Sequence, residues 1–534
     1  MTTRIEGAAL PAARYSPAAP AVEEDALAGV PLAGATRKYV RGSSLLLAGR
    51  FISILLNFAA QVLTVRYLAK AEYGAFAYAL SVVSLGASTL LLGMGKGVPR
   101  FVPIYYERRN YSRALGMIAV AAITIWGLGI SLMLLLYGFQ GVIAGKVVSD
   151  PLALSLLLAM IALSPIEAFG TLLEKVVAIF AKPRAIFFRR HIVAPGCRVL
   201  AILLVMSVAG DVYLLAWGYL ATASLGVWLY VAILFRAFRG QGLFRRVRQD
   251  GLELPARELW GFSIPIFSTE ISVMLRTSVV VILLEFFHST IAVAEFKAVL
   301  PVAGLNMLVF EAFSFLFVPL ASRMFARAEH ESIGDLYWQT ALWISVLTFP
   351  VFALTCALAQ PLTVLLFGER YASAGFLLAL LSAGHYFNAS LGFNAATLRV
   401  YGRVRFIVVS ELLAAALAVV IAFVLIRSHG ALGAAIGTTA SLVLRTTFNQ
   451  FGLRTCGAGI RPLEWKFLRV YAAVLLLSMT LLGAQRLAAV PPAASLAFAG
   501  IGFLVLVRLT RRVLQPETAF PELMRIPLVR TLLS

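Results

Sequence analysis

Apolar stretches of ~20 residues recur from Ser43 to Leu509 with short polar joints between them. They divide the chain into about fourteen segments, at 43–66, 74–94, 114–137, 152–174, 192–209, 212–235, 258–286, 290–320, 335–358, 373–398, 405–426, 430–452, 466–485 and 489–508. A hydrocarbon core needs ~20 apolar residues per crossing helix. A run such as Leu412 to Ile426 has no polar face, so its backbone groups must pair within a helix. The pattern predicts an all-α, polytopic membrane protein with about fourteen transmembrane helices.

Composition agrees. The chain has 534 residues, 60% hydrophobic and 13% charged, against ~45–50% apolar in soluble domains. The net charge of +21 would suit a nucleic-acid partner, but its placement argues against one. Of the 46 Lys and Arg, 35 fall in the tails and alternate connections, 6 in the other connections and 5 within segments. The 2–3 connection holds Lys96, Arg100, Arg108, Arg109 and Arg113, and the 4–5 connection Lys175, Lys182, Arg184, Arg189 and Arg190. The 6–7 connection holds six arginines from Arg236 to Arg257. This positive-inside pattern predicts both termini in the cytoplasm, and part of the charge would attract anionic membrane lipid.

Residues 1–42 are Ala/Pro-rich, lack a basic-then-apolar signal layout, and read as a disordered cytoplasmic tail. Residues 510–534 form a second tail. The three cysteines are scattered, so neither a metal site nor a disulfide framework is implied, and nothing calls for a cofactor. No Walker-type loop occurs. The outer connections are too short for the extramembrane domain a membrane glycosyltransferase or polymerase usually carries. The chain therefore reads as a transporter, not an enzyme.

A shift of 220 positions superposes weak echoes. Phe76 and Leu80 fall on Phe296 and Leu300, Val98-Pro99 on Val318-Pro319, and Ser43 on Ser263. An even offset of six helices makes the repeats parallel. It predicts an N-lobe of helices 1–6 (43–237), a cytoplasmic linker (238–257), a C-lobe of helices 7–12 (258–453) and an added pair, helices 13–14 (454–509).

Charges inside such helices cost ~2.5–3.5 kcal/mol even on lenient scales, so they mark cavities or partners. In the first segment Arg50, Ser53, Asn57, Gln61 and Thr64 form one stripe. That suits a watery lumen; interhelical hydrogen bonding is the alternative. The seventh segment carries Glu270 and Arg276, and Glu270 falls on Arg50 under the repeat shift. A structural ion pair with other residues is the competing reading. The eighth carries Lys297 and Glu311, with snorkelling the alternative for Lys297. Glu167 lies beside Pro165, a kink candidate. His385 and Asn388 share one side of the tenth segment, and Arg445 lies on a polar stripe of the twelfth. Arg198, near the inner end of the fifth, reads as an interfacial anchor. Pro165, Pro195, Pro265, Pro301 and Pro350 interrupt five helices.

Four elements carry a resemblance. Leu68-Ala69-Lys70-Ala71-Glu72-Tyr73-Gly74 resembles the L-x-x-x-E-Y-G start of helix 2 in Wzx-type polysaccharide flippases. Gly93-Met94-Gly95-Lys96-Gly97-Val98-Pro99-Arg100-Phe101 is similar to that helix's end. Leu365-Leu366-Phe367-Gly368-Glu369-Arg370-Tyr371-Ala372-Ser373-Ala374 resembles the L-f-G-x-x-Y-x-x-A element before helix 10, and Gly430-Ala431-Leu432-Gly433-Ala434-Ala435 the start of helix 12. The family is the polysaccharide-transporter branch of the multidrug/oligosaccharidyl-lipid/polysaccharide (MOP) exporters. It implies a MATE-like fold in the cytoplasmic (inner) membrane and a polyprenyl-pyrophosphate-linked oligosaccharide substrate for surface polysaccharides. Polymerase or assembly partners outside would follow, with H+ or Na+ as coupling ions. On that resemblance Arg50, Asn57, Gln61, Arg276, Lys297, His385, Asn388 and Arg445 are the expected substrate-facing residues. Glu167, Glu270 and Glu311 are the expected charge partners or coupling groups. A lipid II flippase and a MATE-type cation antiporter are the alternatives; the antiporter predicts twelve helices and an acidic lumen.

Overall fold

The computed structural model describes residues 32–180, 189–455, 465–487 and 492–514. Of the tails expected at 1–42 and 510–534, residues 32–42 and 510–514 are helical and the rest lie outside the described residues, as does the stretch holding Lys182 and Arg184. Two compact units are distinguished, Met1–Phe51 and Ile52–Ser534. In the first, the described chain is helical from Leu32, ahead of the expected start of the first segment, and Arg50 is half-buried. The second holds the hydrophobic cores and the cavity.

The long helices are α1 (Leu32–Tyr67), α2 (Lys70–Glu107), α3 (Tyr111–Gly138) and α4, the broken pair Pro151–Met160 and Leu163–Phe180. Then come α5 (Arg189–Ser207), α6 (Val212–Gly240) and α7, which is Ala256–Met274, a π turn at Leu275–Val279 and Val280–Phe287. Helix α8 is Thr290–Gly304, a 3₁₀ turn at Leu305–Met307 and Leu308–Ala326. The series ends with α9 (His330–Cys356), α10 (Glu369–Val400), α11 (Val404–His429), α12 (Ala431–Thr455), α13 (Trp465–Leu487) and α14 (Pro492–Leu514). Each predicted segment falls on one of these, and the described residues contain no β-strand.

By length and composition, eight described helices are apolar enough to cross a membrane, or nine with α4 taken as one span. Among the described residues of the two predicted lobes, α1, α7 and α12 are outside that count, α7 being interrupted by its π turn. They are also the helices that carry Asn57 and Gln61, Glu270 and Arg276, and Arg445.

Two prolines shape the interior. Pro165 cannot donate to the carbonyl four residues back, at Ile161, and α4 bends by 43° there. Pro301 likewise leaves the Lys297 carbonyl without its helical donor, and the Gln61 side-chain amide donates to that oxygen at 3.4 Å.

Three apolar cores hold the unit together. One joins α2, α3, α4 and α6 around Met94, Met117, Leu172 and Tyr230. A second joins α8 through α14 around Tyr337, Phe349, Phe393 and Leu506. The third, around Phe76, Leu156, Phe296 and Leu378, draws on both halves of the chain and packs them against each other.

Candidate functional site

Three of the four quoted motifs lie at two places where α2 meets the second half of the chain. At the first, Glu72 caps α2, its carboxylate accepting from the Ala69 backbone N–H at 2.9 Å. Tyr73 is buried, and its hydroxyl accepts from the Gln61 amide. Gly74 lies so close to α8 that a Cβ there would sit 1.8 Å from the Thr290 carbonyl oxygen, so only glycine fits. Lys70 pairs with Glu295 at 2.7 Å, and Ser373 donates to the same carboxylate oxygen at 2.7 Å. Arg370 donates to the Arg66 carbonyl at 2.8 Å, and Arg66 to that of Leu366 at 2.8 Å. The L-L-F-G-E-R-Y element thus ties the end of α1 to the second half of the chain.

At the second place, the other end of α2 lies on α7. A Cβ on Gly97 would come within 2.5 Å of the Ser263 hydroxyl. Lys96 pairs with Glu270 at 2.8 Å and donates to Thr269 at 2.7 Å. Arg100 stacks over Phe262, 4.5 Å from the ring centre. Glu270, expected to be a buried charge partner, has a half-exposed partner in Lys96.

Between these two contacts lies a cavity of about 510 Å³ with polar and apolar walls. Its polar lining comprises Asn57 and Gln61 on α1, Ser84 on α2, Glu167 on α4, Arg198 on α5, Tyr219 on α6 and Lys297 on α8. Asn57 donates to the Ser53 carbonyl at 2.7 Å, which turns its own amide oxygen towards an Arg198 Nη at 3.4 Å. Glu167 shares the space and feels the Arg198 charge. An adjoining cavity of about 380 Å³, lined by α4, α5 and α6, shares Asn57, Glu167, Arg198 and Tyr219 with the first.

The structure therefore brings Asn57, Gln61, Glu167 and Lys297 into one space. It places Arg276, His385, Asn388 and Arg445 in a separate cluster in the second half of the chain. There Arg445 donates to the Asn388 amide oxygen at 2.7 Å, and Thr446 to the same atom at 2.9 Å. Arg276 feels the charges of Arg445 and Glu411, and Arg445 those of Glu411 and Arg399. Arg276 Nη1 and both His385 ring nitrogens are buried without hydrogen-bond partners among the described residues. Glu311 is half-buried on the far part of α8 and lines neither cavity.

By sequence Arg198 reads as an interfacial anchor, but it lines both cavities. It is visible as a cation inside an apolar segment, and Pro195 beside it signals an irregular turn. Sequence reasoning misses Glu411 and Glu285. Glu285, at the end of α7, is fully buried and accepts from the Ser149 backbone N–H at 2.8 Å.

Neither a protein-family model nor a curated relative matches the sequence. Its fold does match solved structures. A lipid II flippase, MurJ, in an inward closed conformation superposes with a TM-score of 0.68 at 13% identity, over 88% of this chain and 99% of that one. An inward-facing multidrug resistance MATE family transporter of the MOP superfamily superposes with a TM-score of 0.61 at 13% identity, over 76% and 95%. The chain is thus an all-α, multi-pass membrane protein with a MATE-like fold, the fold of the MOP superfamily.

Proposed function

We propose that the chain is a flippase that moves a polyprenyl-pyrophosphate-linked oligosaccharide across the cytoplasmic membrane for surface polysaccharide synthesis. The observation that carries this reading is the charge of the cavity: Arg198 and Lys297 face it, against the single carboxylate Glu167. A pyrophosphate loses its hydration on entering the membrane, and cationic donors at fixed positions offset that loss. The apolar tail stays in lipid. The four motifs that resemble Wzx-type flippases support the polysaccharide branch. The fold shared with a lipid II flippase and a MATE transporter supports movement between two access states.

With both termini in the cytoplasm, the Lys70–Glu295 contact closes the outer side and the Lys96–Glu270 contact the inner side. Substrate would enter when the inner contact parts and leave when the outer one does. Arg50, the first residue of the α1 stripe, is a substrate contact on the cytoplasmic side in this reading. Glu167 is the group placed to balance Arg198 when the cavity is empty, and to carry a coupling proton. The protein does no covalent chemistry itself; polymerising or ligating enzymes outside consume what it delivers.

Deleting the gene and profiling lipids by mass spectrometry tests this. Accumulation of a polyprenyl-pyrophosphate oligosaccharide with loss of a surface polymer is the expected result. Unchanged lipid-linked sugars with heightened sensitivity to cationic drugs would overturn it. Among flippases, a peptidoglycan lipid II carrier is the second reading, favoured by the 0.68 TM-score superposition over 99% of the lipid II flippase. Accumulated lipid II in the same extract identifies that case.

A further inference from the structure

The adjoining cavity holds chemistry that the central one does not use. From the four shared residues it runs between α4, α5 and α6 to Glu174, Arg189 and Arg190. Arg189 opens α5 in a π turn, Arg189–Val193. Its guanidinium lies over Tyr230, 3.4 Å from the ring centre, and Tyr230 is fully buried. Gly226 makes the room: a Cβ there would lie 2.4 Å from an Arg189 Nη. The guanidinium is thus held between Tyr230 and Gly226. Its Nε is buried and has no hydrogen-bond partner among the described residues. A buried guanidinium donor without an acceptor is costly.

Arg190 stands beside it, paired with Glu174 at 3.0 Å. Glu174 also accepts from the Tyr230 hydroxyl at 3.4 Å. Eight residues further along α5, roughly 12 Å at helical rise, is Arg198, which already reaches the central cavity. Arginines at 189, 190 and 198 therefore form a graded row of donors, and Lys297 stands beyond them in the connected space.

We propose that this slot between α4, α5 and α6 is a binding site for a phosphate or pyrophosphate group. The group sits against Arg189 and draws Arg190 away from Glu174. Arginine's forked donors match phosphate oxygens, and the fixed guanidinium loses little freedom on binding. Glu174 acts as the resident anion that a ligand displaces. As a loading position for the central cavity, the site rests on the flippase reading; as a phosphate site, it does not.

Cys197 lines the slot, is unpaired and half-buried, and so serves as a reporter. The experiment follows its maleimide labelling by peptide mass spectrometry on the full-length protein in detergent. Added probes are inorganic pyrophosphate, polyprenyl pyrophosphate, phosphatidylglycerol and, as the phosphate-free control, polyprenol. At least one phosphate-bearing probe should slow labelling several-fold while polyprenol does not. Protection by inorganic pyrophosphate makes the free anion sufficient; protection by the lipids alone makes the source a lipid headgroup. Arg190→Gln should need about tenfold more probe, the loss expected for one hydrogen bond to a charged group. Glu174→Gln should need less probe than the wild type. That opposite sign separates a displaced anion from a structural ion pair, whose loss from either side would act in the same direction. Equal protection by polyprenol, no protection by any probe, or unchanged affinity in Arg190→Gln overturns the site. None of these outcomes depends on whether gene deletion accumulates lipid-linked sugar, so the two readings fail separately.

Discussion

Lys297 is the residue on which the cavity chemistry turns. It projects from α8 into a space whose other charges are Arg198 and Glu167, and its carbonyl is the one freed by Pro301 and bonded by Gln61. Its ammonium is a point charge able to follow a moving phosphate, whereas Arg198 is aimed by Asn57. Lys297→Ala should lower lipid-linked oligosaccharide translocation by about ten- to a hundredfold, the range for losing one hydrogen bond to a charged group. Lys297→Arg should keep most of the rate. The check is translocation in reconstituted vesicles, normalised to folded protein; a normal rate in Lys297→Ala ends its assigned role. Asn57→Ala keeps every cation but frees Arg198, so a smaller loss of about three- to tenfold is expected, because only the aim of the guanidinium is lost and not its charge.

Single residues also show what sequence could and could not say. Asn57, Gln61, Glu167 and Lys297 were legible because each is a polar group deep in an apolar stretch, and periodicity put the first two on one face. Arg198 was misjudged because a cation a few residues inside a segment end looks like a snorkelling anchor until its neighbours are known. Periodicity assigns a face, not a partner. It could not tell that Lys297 faces the first cavity while Arg276 and Arg445 gather elsewhere, nor that Glu270 would meet Lys96.

At the scale of elements, the fourteen segments were legible because a bilayer demands a fixed apolar length, and Pro165 marked the bend in α4. The breaks in α7 and α8 were less so. A proline signals a lost hydrogen bond, but the π turn in α7 falls ten residues beyond Pro265, where no proline stands. Pro301 allows a direct test of whether a break is used. Pro301→Ala restores a donor for the Lys297 carbonyl and should stiffen α8 before its 3₁₀ turn. Removing a helix-interior proline is worth up to ~3 kcal/mol, so the melting temperature should rise. Translocation should fall several-fold, because the straightened helix no longer offers that carbonyl to Gln61. A stabilised variant with undiminished transport would mean that the break is packing and nothing more. At the start of α2, Glu72→Ala removes the cap on Ala69 and should cost ~0.5–2 kcal/mol of stability with no change in the polarity of the cavity.

For the whole molecule, the two contacts that enclose the cavity are unequal. Lys70 and Glu295 are each 21% exposed, whereas Lys96 and Glu270 are 50% and 35% exposed. An exposed pair is screened and contributes little, while losing one partner of a sheltered pair leaves a poorly hydrated charge. Close glycine packing accompanies both contacts, but only the Lys70 end adds the cross-links from Arg66, Arg370 and Ser373. The Lys70 end should therefore be the firmer closure, and charge reversal there should shift the conformational balance more. In a Cys356→Ser, Cys456→Ser background, Cys197 becomes the reporter of access from the Lys70 side, read with a membrane-impermeant thiol reagent. Lys70→Glu places two carboxylates together and should raise labelling by about tenfold, the effect of ~1.4 kcal/mol on a two-state balance. Lys70→Glu combined with Glu295→Lys should restore most of the closure. Recovery should stop short of complete, because the introduced carboxylate would then face the Arg370 carbonyl that Lys70 now bonds at 3.1 Å. Lys96→Glu should lower labelling from the same side, and by a smaller factor, since it loosens the opposite and weaker contact. Equal labelling in all three variants would show that the apolar core shared by both halves of the chain, not the ion pairs, sets which side is closed.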